Sequence, residues 1–464
     1  MIVPRNRLRR GPLPAGTSDR RSDDAHPRTH DREILRLAGP AFLALVAEPL
    51  FLLADAAIVG HLGTAELAGL GIAGAVIQTA VGLCIFLAYG TTASVARRLG
   101  AGDTRGALAQ GIDGIWLAVL IGVVTTAAGS ALTGPLIGLF GADADVTAQA
   151  TSYLSWAWLG VTPLLVVLAA TGILRGLQDT RTPLYAAVGG NVLNVVLNVA
   201  LVYGLDLGIA GSAIGTDLAQ VAMAALLGVV VVRAALREGA PLKPDLPGVG
   251  RAAHAGSPLV IRTLTLRASL LVMTYSAAAL GATAMATHQL AATIWTFLAF
   301  VLDAIAIAAQ AITGRYLGAG DLGATRAVTR RMIQWGLVSG VVTGVALALT
   351  APLLGPLFTE DPAVHGMLWP VLVVAAVFQP VAGLVFVLDG VLIGAGDGRY
   401  LAWGGLVVLA VFAPVALVVS AAVETGGLPW LWTVFGLAFM GSRAVVLVHR
   451  ARGTRWMTTG ADTP

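Results

Sequence analysis

A carboxyl group can take up and release a proton, and two of them stand in the stretch Glu48-Pro-Leu-Phe-Leu-Leu-Ala-Asp55-Ala-Ala-Ile-Val-Gly60, where nearly every other residue is apolar. Glu48 and Asp55 are seven residues apart, two helical turns on nearly one face, with Pro49 between them. Asn191, Asn194 and Asn198 recur at intervals of three and four, so they share a helical face, and Thr216 and Asp217 follow in the next apolar run. Thr171 and Gln78 are further polar residues inside apolar stretches. Carboxyls with amide and hydroxyl neighbours suit reversible binding of a proton or a small cation. Disulfides, thiolate metal sites and redox pairs are excluded, because Cys84 is the single cysteine and stands in an apolar stretch. The sequence contains no nucleotide-cradling G-x-x-x-x-G-K-[ST] motif and no Asp-rich motif of the kind an intramembrane prenyltransferase needs. No cofactor or metal site is expected.

The elements that hold these residues are set by composition. The 464 residues are 57% hydrophobic and 12% charged, with a mean hydropathy of +0.82. Apolar runs of about twenty residues fall near 37–60, 67–92, 108–131, 151–173, 182–203, 208–232, 257–280, 286–312, 332–352, 367–391, 401–421 and 429–449. The expected fold is an all-α polytopic membrane protein with twelve transmembrane helices. Small residues such as Gly211-Ser-Ala-Ile-Gly215 and Gly336, Gly340 and Gly344 would let these helices approach closely. Inside such a helix an Asp costs about 2.5–3.5 kcal/mol near the centre, and protonation or a partner lowers that cost. Asp55, six residues before His61 and therefore roughly 9 Å from the end of its run, is the first candidate for a coupling site. A structural hydrogen bond to a neighbouring helix is the plain alternative. For the Asn face, interhelical hydrogen bonding and direct substrate contact stand level.

Basic residues test the topology. Of the 29 Lys and Arg, nine precede residue 37, and others gather at every second connection, around Arg97, Arg175, Arg233, Arg315, Arg399 and Arg450, while the connections near His61, Asp143, Asp206, Gly281, Asp361 and Glu424 have none. This alternation predicts an even number of spans with both termini in the cytoplasm. The net charge of +4 then reflects topology, and nucleic acid is not an expected partner.

The chain also repeats itself. Leu99-Gly-Ala-Gly-Asp103 returns as Leu317-Gly-Ala-Gly-Asp321, and Gly172-Ile-Leu-Arg-Gly176 with Asp179 and Arg181 returns as Gly390-Val-Leu-Ile-Gly394 with Asp397 and Arg399, both at an offset of 218 residues. Two six-helix lobes in the same orientation follow, as parallel repeats around a central cleft suited to alternating access. The expected divisions are a disordered basic tail at 1–33, a first lobe at 34–233, a cytoplasmic linker at 234–256, a second lobe at 257–450 and a tail at 451–464.

The segments Asp55-Ala-Ala-Ile-Val-Gly-His61-Leu, Leu99-Gly-Ala-Gly-Asp103, Leu174-Arg-Gly-Leu-Gln-Asp179-Thr, Gly211-Ser-Ala-Ile-Gly-Thr216 and Leu388-Asp-Gly-Val-Leu-Ile-Gly394 together resemble the multidrug and toxic compound extrusion (MATE) family, and most of all its DinF (DNA-damage-inducible protein F) branch. The resemblance covers about residues 34–457. It implies secondary efflux of cationic or amphipathic organic compounds in exchange for protons or sodium. It places an essential carboxylate at Asp55, substrate-lining positions at Asn194 and Thr216, and a helix bend at Pro40, with Pro49 as a second bendable point. Proton-coupled relatives often carry Asp at the position of Asn198, so a second carboxylate in this lobe would have to be Glu48 or Asp217. A coupling carboxylate of the NorM branch matches Ala382 here, which speaks against sodium in the second lobe, and protons are the favoured ion.

Asp303 and Asp389 lie in the opposite half of the membrane, at depths comparable with Arg262 and Arg267, and an ion-pair or gating network among the four is expected. His61 and His288 read as interfacial, and tryptophans including Trp156, Trp158, Trp369, Trp430 and Trp432 read first as interfacial anchors. The sequence therefore predicts a monomeric multidrug antiporter of the cell membrane, not an enzyme. A lipid-linked precursor flippase is the rival reading; it would need several basic residues in the cleft, and only Arg262 and Arg267 offer themselves.

Overall fold

Apolar runs of this length can cross a bilayer only if every backbone group is bonded within its own helix, and the chain folds accordingly. The computed structural model describes residues 27–423 and 427–461. It contains twelve helices of membrane-spanning length: α1 Pro27–Gly60, α2 Thr64–Gly100, α3 Thr104–Gly138, α4 Ala144–Gly176, α5 Arg181–Gly204, α6 Gly208–Arg237, α7 Leu246–Ala279, α8 Ala282–Gly318, α9 Leu322–Phe358, α10 Pro362–Gly394, α11 Gly398–Ala422 and α12 Gly427–Arg452. The count is the expected one, and the chain is an all-α, multi-pass membrane protein. Most helices outrun their apolar stretches at the ends that carry arginine, because hydropathy marks the bilayer and not the end of the hydrogen-bond ladder.

The same effect moves the boundaries between segments. α1 starts at Pro27, inside the stretch expected as a tail, and the rest of that stretch lies outside the described residues. The expected linker shrinks to 238–245, because α6 runs on to Arg237 and Asp245 caps α7 by accepting from Gly248 N at 3.1 Å. The expected C-terminal tail folds back on the bundle. Trp456 is 2% exposed, Gly460 N donates to Leu317 O at 3.2 Å, and Arg97 Nη1 donates to Thr458 O at 3.1 Å.

Shifting the chain by 218 residues superposes both ends of α2 on α8 and of α4 on α10. In each lobe the middle helix, α4 or α10, packs against three neighbours. The repeated motifs are packing devices. An added Cβ at Gly172 or Gly176 would strike the backbone of α2 at Ala88 and Thr92, and one at Gly390 or Gly394 would strike α8 at Ala306 and Gln310, the positions related by the same shift. Asp103 and Asp321 each cap the following helix, accepting from Gly106 N at 2.7 Å and Ala324 N at 2.8 Å. Gly102 and Gly320 adopt φ of 81° and 74°, which only glycine takes without strain. The lobes meet where α2 crosses α8. There a Cβ on Gly100 would collide with Arg315 O and one on Gly318 with Arg97 O, a reciprocal contact that marks the pseudo-twofold axis. Ion pairs from α1 to the second lobe flank it: Glu33 binds Arg315, and both carboxylate oxygens of Asp31 accept from Arg331, at 2.6 and 2.7 Å.

Candidate functional site

The polar residues of the first lobe converge from three helices. Asp55 on α1 is 4% exposed, and one of its oxygens, Oδ1, accepts from Asn198 Nδ2 on α5 at 2.8 Å and from Ser212 Oγ on α6 at 2.5 Å. Close helix approach makes this possible. Gly211 touches the backbone of α5 at Leu201, and Gly215 leaves the room that Asn198 Oδ1 occupies, since a Cβ there would overlap it. No Lys or Arg pairs with Asp55 among the described residues. Two neutral donors stabilise the carboxylate, while the buried Asn198 Oδ1 has no hydrogen-bond partner.

The rest of the Asn face docks α5. Asn194 Nδ2 donates to Thr216 Oγ1 at 2.9 Å, and Asn191 Nδ2 donates to Ala47 O on α1 at 3.0 Å. Interhelical bonding therefore accounts for these two. Asp217 and Glu48 do not join Asp55. The Asp217 carboxylate turns to α4, into space that exists because residue 160 is glycine. Glu48 is exposed and has no hydrogen bond or ion pair among the described residues. Pro40 and Pro49 both lie within the unbroken helix α1. Two residues that sequence reasoning missed complete the site. Ser212 stands one turn before Thr216 in the Gly-Ser-Ala-Ile-Gly segment, a spacing that signals a shared face. Tyr153 on α4 lies beside Thr216 and within electrostatic reach of Asp55 and Asp217, and no pattern around it announces this.

A second set of charges lies on the arginine-bearing side. Arg262 on α7 and Arg443 on α12 both bind Asp389 on α10, the latter at 3.4 Å. Arg262 thus meets one of the two carboxylates set at its depth, and Arg443 is a second partner of the same carboxylate. Asp303 forms no ion pair among the described residues; it lies within electrostatic reach of Arg175 and Arg262. Arg267 departs from the expected network. Its guanidinium rests against Gly82 of α2 and pairs with no carboxylate. Gln78 is exposed one turn from Gly82, and Thr171 is half-buried one turn from Arg175. His288 is buried beside Trp432, with ring centroids 5.9 Å apart, and Trp158 is buried with Nε1 donating to Thr133 Oγ1 at 3.0 Å. Packing, not the interface, claims these three residues.

Two parallel six-helix repeats, one enclosing a hydrogen-bonded carboxyl and the other an arginine-rich network, are the architecture of a membrane transporter. The MatE family model matches both halves of the chain, over residues 40–200 and 258–420. The chain is 34% identical to Protein DETOXIFICATION 44, chloroplastic, of Arabidopsis thaliana over 91% of its own length and 82% of the relative's. It is 30% identical to DNA damage-inducible protein F of Escherichia coli (strain K12), covering 79% of this chain and 81% of that one. Among solved structures it resembles a MATE transporter of Vibrio cholerae, VcmN, in the bent form, with a TM-score of 0.84, 22% identity and coverage of 92% and 97% of the two chains. A MATE in the straight conformation gives 0.83 at 23% identity, covering 93% and 97%. The chain belongs to the MatE family of multidrug and toxic compound efflux transporters, and it is not an enzyme.

Proposed function

We propose that this chain is a proton-coupled antiporter that exports amphipathic organic compounds by alternating access, with Asp55 as the proton-binding group. The observation that carries the reading is the pair of neutral donors on Asp55 Oδ1. Hydrogens aimed at a carboxylate oxygen suit an anion that gains and loses a proton, whereas a sodium ion needs converging lone pairs. The protonated form can also be satisfied. If the Asn198 amide turns over, its unpartnered Oδ1 becomes the acceptor for the new O–H, so protonation swaps the polarity of a contact between α1 and α5. Proton binding drives transport only as far as the two access states differ in affinity for it. A contact that changes hands between two moving helices is a means of creating that difference.

The basic helix ends face the cytoplasm in this reading, which puts both termini there and the chain in the cell membrane as a monomer. α1 then carries its signal to the second lobe through Glu33 and Asp31 at the cytoplasmic side, and Pro49, which leaves Leu45 O without its helical donor, is where α1 bends most easily. The test is transport in proteoliposomes of ethidium and of 2-naphthoate under an imposed proton or sodium gradient, comparing wild type with Asp55→Asn. Proton-driven movement of at least one compound, lost in the variant, is expected. Equal gradient-driven transport by correctly inserted Asp55→Asn refutes the role of Asp55, and drive by sodium alone refutes the choice of ion.

A further inference from the structure

Arg267 is the feature that the coupling scheme leaves unused. It sits 12 residues before the end of α7, roughly 18 Å along the helix, and its guanidinium meets Gly82 at the middle of α2. A membrane core is about 30 Å thick, so this is a charged group near the midplane at the junction of the two lobes. Arg267 is exposed, and a charged side chain within a membrane span is by default a candidate for function. Arg262, five residues earlier on α7, faces the same helix of the first lobe, with Cζ 5.9 Å from the Tyr89 ring. Arg175 on α4 lies within electrostatic reach of Tyr89, and its guanidinium has no hydrogen bond or ion pair among the described residues. Together with Arg443 there are four guanidiniums, against the two carboxylates Asp303 and Asp389. Glu48, exposed on α1, contacts none of them.

We infer that the seam between the lobes binds an organic oxyanion, and that the amphipathic substrates of this transporter carry an acidic group held by Arg267, with Arg175 and Arg262 supplying the surrounding positive field. This rests on the transporter reading and narrows its substrate class. The guanidinium fork matches the paired oxygens of a carboxylate or phosphate, and Gln78, one turn from Gly82, offers a neutral partner. A purely cationic substrate would meet the unpaired Arg267 near the midplane and, along the seam, four guanidiniums against two carboxylates. The oxyanion has two sources, a free organic acid or a lipid phosphate.

Direct binding to the purified full chain tests this separately from transport. The probes are 2-naphthoate, farnesyl phosphate and the cation N-methylquinolinium, titrated by calorimetry. At least one oxyanion should bind in preference to the cation. Arg267→Gln should weaken it about tenfold or more, as expected for loss of a charged hydrogen bond, while Arg326→Gln, on the exposed surface of α9, leaves it unchanged. Gly82→Ala supplies a second variant that keeps the charge, since its methyl group displaces the end of the Arg267 side chain, and a several-fold loss is expected. Binding of naphthoate identifies a free acid as the source, and binding of farnesyl phosphate alone identifies a lipid. Preference for the cation, or oxyanion binding untouched by both Arg267→Gln and Gly82→Ala, overturns the inference. Arginine-dependent binding with no gradient-driven transport upholds it and removes the antiporter reading instead.

Discussion

Replacing Gly318 or Gly100 with alanine should part the two lobes. Each glycine lies against the carbonyl of an arginine on the other helix, Arg97 O for Gly318 and Arg315 O for Gly100, and a Cβ at either place falls deep inside the oxygen's contact distance. Carbon–oxygen contacts of this kind settle at about 3.3–3.6 Å, and the obstacle is backbone, which no side-chain rotation relieves. The helices must therefore separate by about 1 Å or more at the crossing. Overpacking of this sort costs ~1–3 kcal/mol, and at about 1.4 kcal/mol per factor of ten it shifts the population from closed to parted lobes by roughly 5- to 150-fold. The double variant should cost less than the sum, since both changes relieve themselves by one movement. Spin labels at Ala101 and Ala319, both exposed in the loops beside the crossing, report the separation in a Cys84→Ser background. Gly134→Ala is the control, because nothing stands within 4 Å of its added carbon. A distance distribution for Gly318→Ala and Gly100→Ala that matches wild type and the control would refute a backbone-to-backbone crossing of α2 and α8.

Asp389 has two arginine partners, so Arg443→Gln should lower thermal stability less than Asp389→Asn, which leaves two buried guanidiniums facing each other and costs about 3–5 kcal/mol; a larger effect from Arg443→Gln contradicts the shared pairing. Ser212→Ala should impair proton-driven transport more than Asn191→Ala, because only Ser212 touches Asp55, while both lose a similar ~1 kcal/mol of stability. Asp103→Ala and Asp321→Ala should each cost about 0.5–2 kcal/mol as lost helix caps, and unequal effects beyond that range would show that the repeated motif does more than cap in one lobe. Trp456→Ala should destabilise the protein by roughly 3–5 kcal/mol, measured by detergent thermal melting, because the tail after α12 is packed and not free.

The span count and the doubling were legible because a bilayer demands apolar runs of fixed length and because a shift of 218 residues preserves glycines wherever backbones touch. The ends of the helices were not legible. α1 passes through Asp31 and Glu33, which hydropathy reads as tail, because their charges are met by Arg331 and Arg315 of the other lobe. Asp55 announced itself as a carboxyl in an apolar run, and its partner Asn198 by the spacing of the Asn face. Ser212 and Tyr153 carried weaker signals, since hydroxyls occur throughout such helices. Arg175, and Arg443 near the basic end of the chain, escaped notice for a related reason. Arginine near a helix end normally marks the cytoplasmic loop, and only tertiary contacts show that these two turn inward.

One frame thus holds two chemistries, and the repeat offset shows how cleanly they are divided. The shift that places Pro40 on Pro258 and Gly172 on Gly390 places Asp55 on the buried Met273 and Asn198 on the buried Ala416, so the proton-binding set has no counterpart in the second lobe. In the other direction Asp389 falls on Thr171, Arg267 on Pro49 and Asp303 on Ile85, so the first lobe repeats none of these three charges and contributes Arg175 instead. Backbone positions that fix helix approach, and the capping Asp103 and Asp321, are retained in both halves, while the carboxyl site and the guanidinium network are not duplicated. A carboxyl that must exchange protons is thereby kept away from guanidiniums that would hold it ionised. The two sites communicate where the lobes touch, among other places through α1 to α8, across the Gly100 and Gly318 crossing and where α7 lies against α2. Coupling between proton and substrate must therefore pass through the relative position of the lobes, as alternating access requires, and not through direct competition for one set of side chains.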